Sequence, residues 1–344
     1  MPSLIQTLSV LVFATPLGCA VAQSTITSSP PADTVTILVG AGPGGGFDTN
    51  TRIFARHFGK HLANKPNIVV QNLPGAGGMV VANTIFNSAP KDGSMLGVFA
   101  ASVALEHLIG NSQARFDARK FEWIGSLEKD TQSCGVWNGA GQGITSFEQL
   151  ITSKREVIFG STSPQAATSQ HALLLKGLFG VPAKVVYGYR GTADIKLAME
   201  RGELSALCGI FISTIKSTFM REFQDGTLRI LVQLGADGAD PFFGDAVVLH
   251  DLAKDQETRD ILDFILKQSQ LARPMAAAPG TPKDRVSRLT QAMLDTVKDT
   301  DLLADASRIG VEFNAVPGRE LTTIFENYYL VPKERIKKVM SLLQ

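Results

Sequence analysis

The groups in this chain best placed to do chemistry lie in two glycine-rich turns, Gly40-Ala-Gly-Pro-Gly-Gly-Gly-Phe-Asp48 and Asn72-Leu-Pro-Gly-Ala-Gly-Gly78. Each follows a β-like apolar run, residues 35–39 or 68–70, and each opens a helix-like segment. Strand, glycine turn and helix start together aim unsatisfied backbone N–H groups at an anion. The first turn also satisfies G-x-G-x-x-G through Gly40, Gly42 and Gly45, the formal dinucleotide fingerprint. An exported Rossmann oxidoreductase is therefore the alternative reading. It needs an acidic residue about 20 positions on to hold a ribose, and the second strand ends in Gln71-Asn72 instead. No Lys-Ser/Thr follows the glycines, which disfavours nucleotide hydrolysis. Asp48 sits in the first helical turn. There it either stabilises the helix dipole or meets a ligand group.

Other chemistry is sparse. The chain has no G-x-S-x-G elbow, no C-x-x-C and no H-E-x-x-H, so no catalytic residue is assigned. His57 and His61 have a spacing that can ligate a metal, but Arg52, Arg56 and Lys60 share their segment. They read as solvent-facing, and no metal or cofactor is expected. His171 reads as a structural histidine. Cys134 and Cys208 lie in strand-like apolar contexts and form either one disulfide or two buried thiols.

The elements that must position the turns alternate between strand-like and helix-like along the chain, which argues for α/β with largely parallel sheets. Residues 47–63 carry apolar positions at helical spacing, and 79–87 form a short helix. Ser146 and Gln149 fit a capping box. A helix over 168–179 closes at Gly180, and another over 193–201 stops at Gly202. Thr281-Pro282 marks a helix start with a hydroxyl cap. The two C-terminal helices, 321–329 and 332–343, are expected to pack on the first domain.

At 344 residues the chain can form two domains. A balance of 33 basic and 32 acidic residues gives no electrostatic case for nucleic acid or a membrane surface. Residues 1–22 read as a signal peptide, with an apolar core and Ala20-Val-Ala22 before Gln23, although no Lys or Arg precedes that core. Residues 23–33 form a Ser/Thr/Pro-rich linker. The mature chain is thus expected in the periplasm.

The two loops carry a family resemblance. The stretch from Val35 through Asp48 to Arg52 resembles the opening strand and loop of the Bug family, the extracytoplasmic receptors of tripartite tricarboxylate transporters, also called TctC-like. Val69-Val-Gln-Asn-Leu-Pro-Gly-Ala-Gly-Gly78 is similar to that family's second loop. Ala89-Pro-Lys-Asp-Gly-Ser-Met-Leu96, Gly188-Tyr-Arg-Gly-Thr-Ala193 and Ala277-Ala-Pro-Gly-Thr-Pro282 follow in order. The resemblance implies a type II periplasmic-binding fold, with two α/β lobes closing on a small carboxylate. Residues 34–131 plus 236–344 would form lobe one, and 132–235 lobe two. The chain would be a monomeric receptor delivering an organic acid to permease subunits, not an enzyme; a sensor feeding a signalling partner is the variant output.

The ligand set implied by the resemblance is Gly44, Gly45, Gly46, Phe47 and Asp48 in the first loop, and Ala76, Gly77, Gly78 and Met79 in the second. Lobe two would add Ser161, Thr162, Ser163, Thr168 (with Ser169 as an alternate), Arg190, Gly191 and Thr192. Arg190 either grips one carboxylate bidentately or lies on the surface. The chain departs from the family at Phe47, Leu73, Met79, Val80 and Gly209, losing polar groups. These departures imply a ligand with an apolar or aromatic part.

Overall fold

The computed structural model describes residues 34–138, 143–235 and 238–343. The expected signal peptide and linker lie outside them. Two six-stranded mixed sheets organise the chain. In lobe one, β1 (Thr34–Val39) leads through the first glycine turn into α1 (Gly46–Phe58). Then β2 (Asn67–Asn72) leads through the second turn into α2 (Met79–Asn87), and β3 (Met95–Val98) into the short α3 (Ala101–Ala104). The chain passes along β4 (Glu122–Lys129) into lobe two and β5 (Gln132–Trp137).

Lobe two repeats the strand-to-helix pattern. A short α4 (Phe147–Ile151) precedes β6 (Val157–Gly160), which leads into α5 (Ala167–Phe179). Next come β7 (Ala183–Val186) into α6 (Thr192–Glu200), and β8 (Ala206–Phe211) into α7 (Ile212–Thr214) and α8 (Met220–Gln224). Strands β9 (Leu228–Gln233) and β10 (Val247–Val248) complete this sheet, so it extends past the expected boundary at 235. The chain returns through α9 (Gln256–Ser269) to β11 (Leu271–Ala277), α10 (Lys283–Thr296), α11 (Thr300–Ser307), β12 (Val316–Pro317), α12 (Gly318–Tyr328) and α13 (Lys333–Leu342).

Strand order is β12-β4-β11-β3-β1-β2 in lobe one and β10-β9-β5-β8-β6-β7 in lobe two. The sheets are not largely parallel, as the alternation suggests. β1, β2 and β3 run parallel, as do β6, β7 and β8, but β11, β4 and β5 pair antiparallel with their neighbours. The antiparallel pairs arise where the chain passes between lobes, because a crossing strand enters the second sheet from the opposite end. The parallel trios have a functional consequence. Their six carboxyl ends deliver six helix starts, and in open α/β sheets ligands bind at that edge.

The largest apolar cluster runs from Phe99 and Trp123 in lobe one to Leu174 and Leu231 in lobe two. Cys134 and Cys208, on neighbouring strands β5 and β8, are joined by a disulfide. Two local expectations change. Pro282, not Thr281, is the N-cap of α10, and the Thr281 hydroxyl donates to the Ala278 carbonyl. Helix α13 packs against α5 of lobe two, where Leu342 covers Gly177.

Candidate ligand-binding cleft

The two glycine turns meet the opposite lobe directly. Gly42 N donates to the Arg190 carbonyl at 2.7 Å. A Cβ on Gly46 would lie 2.2 Å from Thr214 Oγ1, and one on Gly77 would lie 2.8 Å from Ser163 Oγ. The glycines at these two positions let backbone from one lobe approach side chains of the other.

Between the lobes lies a cavity of about 80 Å³. A water needs about 10–15 Å³ on such a measure, so the space suits a small solute. Its wall is built from helix starts: Gly45, Gly46 and Phe47 of α1, Gly77 before α2, Ala100 to Ser102 at α3, Ala166 to Thr168 at α5, Gly191 and Thr192 at α6, and Phe211 and Thr214 at α7. Gln132, Gly209 and Leu271 add to it. The N-caps of α1, α5 and α6 are Gly45, Ala166 and Gly191, which make no side-chain cap. The first N–H groups of each helix therefore have no intrahelical or capping partner. No lining residue is ionisable.

The structure divides the expected site residues. Gly45, Gly46, Phe47, Gly77, Thr162, Thr168, Gly191 and Thr192 line the cavity. Gly44, Asp48, Ala76, Gly78, Met79, Ser161, Ser163 and Arg190 do not. Asp48 is a buried brace: its carboxylate accepts from Gly44 N at 2.9 Å, Arg52 Nε at 2.8 Å and Asn72 Nδ2 at 2.8 Å. It thereby ties the first turn to the second strand. Met79 is sealed in the core at 1% exposure, with its helix packed under β3. Ser161 Oγ holds the turn by bonding the Ser163 carbonyl and Thr168 Oγ1. Ser163 faces Gly77, while Gly78 backs onto Gly40 and Phe99. Ala76 borders a neighbouring crevice with Arg190. The Arg190 guanidinium is already committed to Asp194, at 2.8 and 3.2 Å, on the surface.

Part of the cavity wall is apolar, and of the expected apolar departures only Phe47 lies in it. Phe47 stands 6.5 Å from Phe211 between ring centroids, with Leu271 nearby in the lining. Beneath the two rings lies Arg273, fully buried, with its Cζ 5.4 Å from the Phe47 ring and 5.5 Å from the Phe211 ring. It donates to Glu128 Oε2 at 2.8 Å, Ser213 Oγ at 3.0 Å, Thr214 Oγ1 at 3.3 Å and the Gly46 carbonyl at 3.1 Å. One cation thus joins β11, β4, α7 and the first turn of α1, with its charge spent on Glu128 rather than on the cavity.

Gly209 has φ +68°, and a Cβ there would meet Thr168 N at 2.8 Å. The wall has no room for a side chain at this position.

Histidines stand apart from the cleft. His57 is buried against Asp305, and His61 pairs with Asp299, so neither simply faces solvent as expected. His171 is fully buried, and burial pushes its imidazole down to about 3.

Ser102, Gln132, Phe211, Thr214 and Arg273 were not legible as site residues. The sequence holds a signal for two of them, Ser102 and Arg273. Phe99-Ala-Ala-Ser102 is a third strand end followed by small residues, and Arg273 is a lone charge in an apolar strand.

No protein-family model matches the chain, and no curated protein matches its sequence. Solved structures do match. The periplasmic binding protein BugD aligns over 91% of this chain and 98% of its own, with a TM-score of 0.72 at 16% identity. The fold is that of a two-lobed binding protein. MatC from Rhodopseudomonas palustris, solved with malate, aligns over 91% of this chain and 100% of its own, with a TM-score of 0.67 at 18% identity. R. palustris Rpa4515, solved with adipate, aligns over 92% and 98%, with a TM-score of 0.69 at 17% identity. On this binding-protein fold, the cavity occupies the cleft between the lobes.

Proposed function

We propose that the chain is an extracytoplasmic solute receptor of the Bug type, which captures a small organic carboxylate in the periplasm and passes it to a membrane permease. The observation that carries this reading is the ring of helix starts around a cavity with no ionisable side chain. Free N–H groups and positive helix ends stabilise a carboxylate. Without a fixed counter-charge the ligand can also leave, as delivery requires. Malate in MatC and adipate in Rpa4515 support the same ligand class. Among the described lining residues no acid, base or imidazole stands beside a hydroxyl, which favours binding over catalysis.

The decisive experiment uses mature protein unfolded and refolded to strip any carried solute, then melted against a panel of mono-, di- and tricarboxylates. At least one acid should raise Tm in a concentration-dependent way, because it binds only the native state. A flat response across the panel would sink the reading.

A further inference from the structure

The cavity has two unlike ends. At one end helix starts crowd together. A Cβ on Gly45 would lie 3.4 Å from Thr192 N, so α1 and α6 begin side by side. A Cβ on Gly77 would lie 3.2 Å from Ala166 Cα, which brings the start of α5 against the second turn. Gly77 and Thr162 border both the cavity and the neighbouring crevice, which places this end on the crevice side. The first N–H groups of three helices and the half-buried Thr162 and Thr192 therefore surround one small volume.

The other end lies against the crossing between the lobes. Phe47 stands 6.5 Å from Phe211 between ring centroids, and Gln132 sits directly opposite Phe211 in the β5–β8 ladder. Leu271 pairs with Lys129, just before the chain crosses into lobe two. Phe211 and Leu271 are 4% exposed, whereas Phe47 is only half-buried and keeps free apolar surface. The polar side chains at this end, Gln132 and Thr214, are neutral, and Thr214 already accepts from Arg273. Arg273 itself lies fully buried beneath both rings and is paired with Glu128.

A carboxylate at this end would lose its water and meet the electron-rich faces of aromatic rings, with no free cation to offset it. A hydrocarbon tail would instead cover the open surface of Phe47 and release water from it. We infer that the cleft selects monocarboxylates, with the single carboxylate at the helix starts and the hydrocarbon tail against Phe47, which sets this selectivity. The inference rests on the carboxylate reading above and adds to it a substrate class and an orientation.

The test is calorimetric titration of the mature chain with three pairs matched in length: butyrate and succinate, hexanoate and adipate, benzoate and terephthalate. In at least one pair the monoacid should bind at least about tenfold more tightly, and in no pair should the diacid lead. Phe47→Ser should bring that pair within about threefold by weakening the monoacid, while Phe47→Leu keeps the preference. If acids bind but a diacid equals or exceeds its monoacid in every pair, or the preference survives in Phe47→Ser, the inference is overturned and the carboxylate reading stands. If none of the six binds, the inference falls, and the wider panel decides the reading beneath it. Should Phe47→Ser fail to fold, the ratios of the unaltered chain decide alone.

Discussion

Three helix starts at the cleft differ from three at the molecule's outer edge. At the edge, α4, α9 and α11 begin on Ser146, Asp255 and Asp299, and each side chain accepts from a backbone N–H of the first turn. At the cleft, α1, α5 and α6 begin on Gly45, Ala166 and Gly191, which supply no such acceptor. A side-chain cap contributes about 0.5–2 kcal/mol over alanine and only a few tenths over glycine, so the cleft forgoes most at Ala166 and little at Gly45 and Gly191. Ionisable groups divide the same way. At the edge, His61 and neighbouring amides hold Asp299 down to about 2, a well-paired carboxylate. Behind the cleft, burial pushes Glu106 up to about 7. At those three outer starts the polar groups are paired within the chain. The cleft is left with unspent hydrogen-bonding capacity, which is what a reversible binding site needs.

Breaking the brace beneath the cleft should have the largest effect. Arg273→Met leaves Glu128 as an uncompensated buried charge and frees the Gly46 carbonyl. Losing one partner of a buried pair costs about 3–5 kcal/mol, so urea melts should show a loss of that order. A loss under about 1 kcal/mol would mean that the cleft floor does not depend on this cation.

The next effect is a pH dependence confined to the cleft side. Glu106 accepts from Asn111 Nδ2 at 2.7 Å and, across the lobes, from Gln170 Nε2 at 3.2 Å. Its folded pKa lies above its unfolded one, so the folded chain holds the extra proton. Its contribution to stability therefore falls as pH rises from about 4 to about 7, by at most about 3 kcal/mol, and is flat above. Glu106→Gln should remove that slope and make the variant more stable than the wild-type chain at pH 8. Parallel pH profiles for the two proteins would contradict this assignment.

The contrast also explains which features were legible from sequence. A strand end, a glycine turn and a helix start are contiguous, so the two turns could be read from local pattern as facing an anion; the resemblance then pointed to Gly45, Gly46 and Gly77, which line the cavity. Lobe-two starts at Thr168 and Gly191 were reached by resemblance, and they also line the cavity. Asp48 and Arg190 were left with two readings each because the chemistry of a residue type does not reveal its partner. Asn72 and Asp194 had already claimed them. Arg273 stands over 140 residues from its partner Glu128, and Phe211 meets Phe47 only once the lobes come together. Such pairings are properties of the closed fold, and no window of sequence contains them.

A smaller perturbation tests closure itself. Gly46→Ala sets a methyl against Thr214 across the lobes. Overpacking of this kind costs about 1–3 kcal/mol, and here the lobes can relieve it by parting. The expected result is carboxylate affinity lower by about ten- to hundredfold, with a smaller change in Tm of the free protein. Unchanged affinity would show that the cleft binds its solute with the lobes apart.

The smallest and most direct test exchanges the two kinds of helix start. Asp255→Ala removes an edge cap whose carboxylate accepts from Thr258 N at 2.7 Å. Stability should fall by about 1 kcal/mol with carboxylate affinity untouched. Ala166→Ser does the reverse at the cleft, where residue 166 already has the extended backbone of a capping position, φ −75° and ψ 149°. The new hydroxyl can bond an N–H of the first α5 turn, raising stability by roughly 0.5–1 kcal/mol. The same bond takes from the solute a donor it would otherwise use, so affinity should drop severalfold. Opposite signs on stability and affinity in one variant, with no affinity change in the other, follow only if the uncapped N–H groups bind the ligand. Were Ala166→Ser to stabilise the protein without weakening binding, the α5 start would be no part of the site.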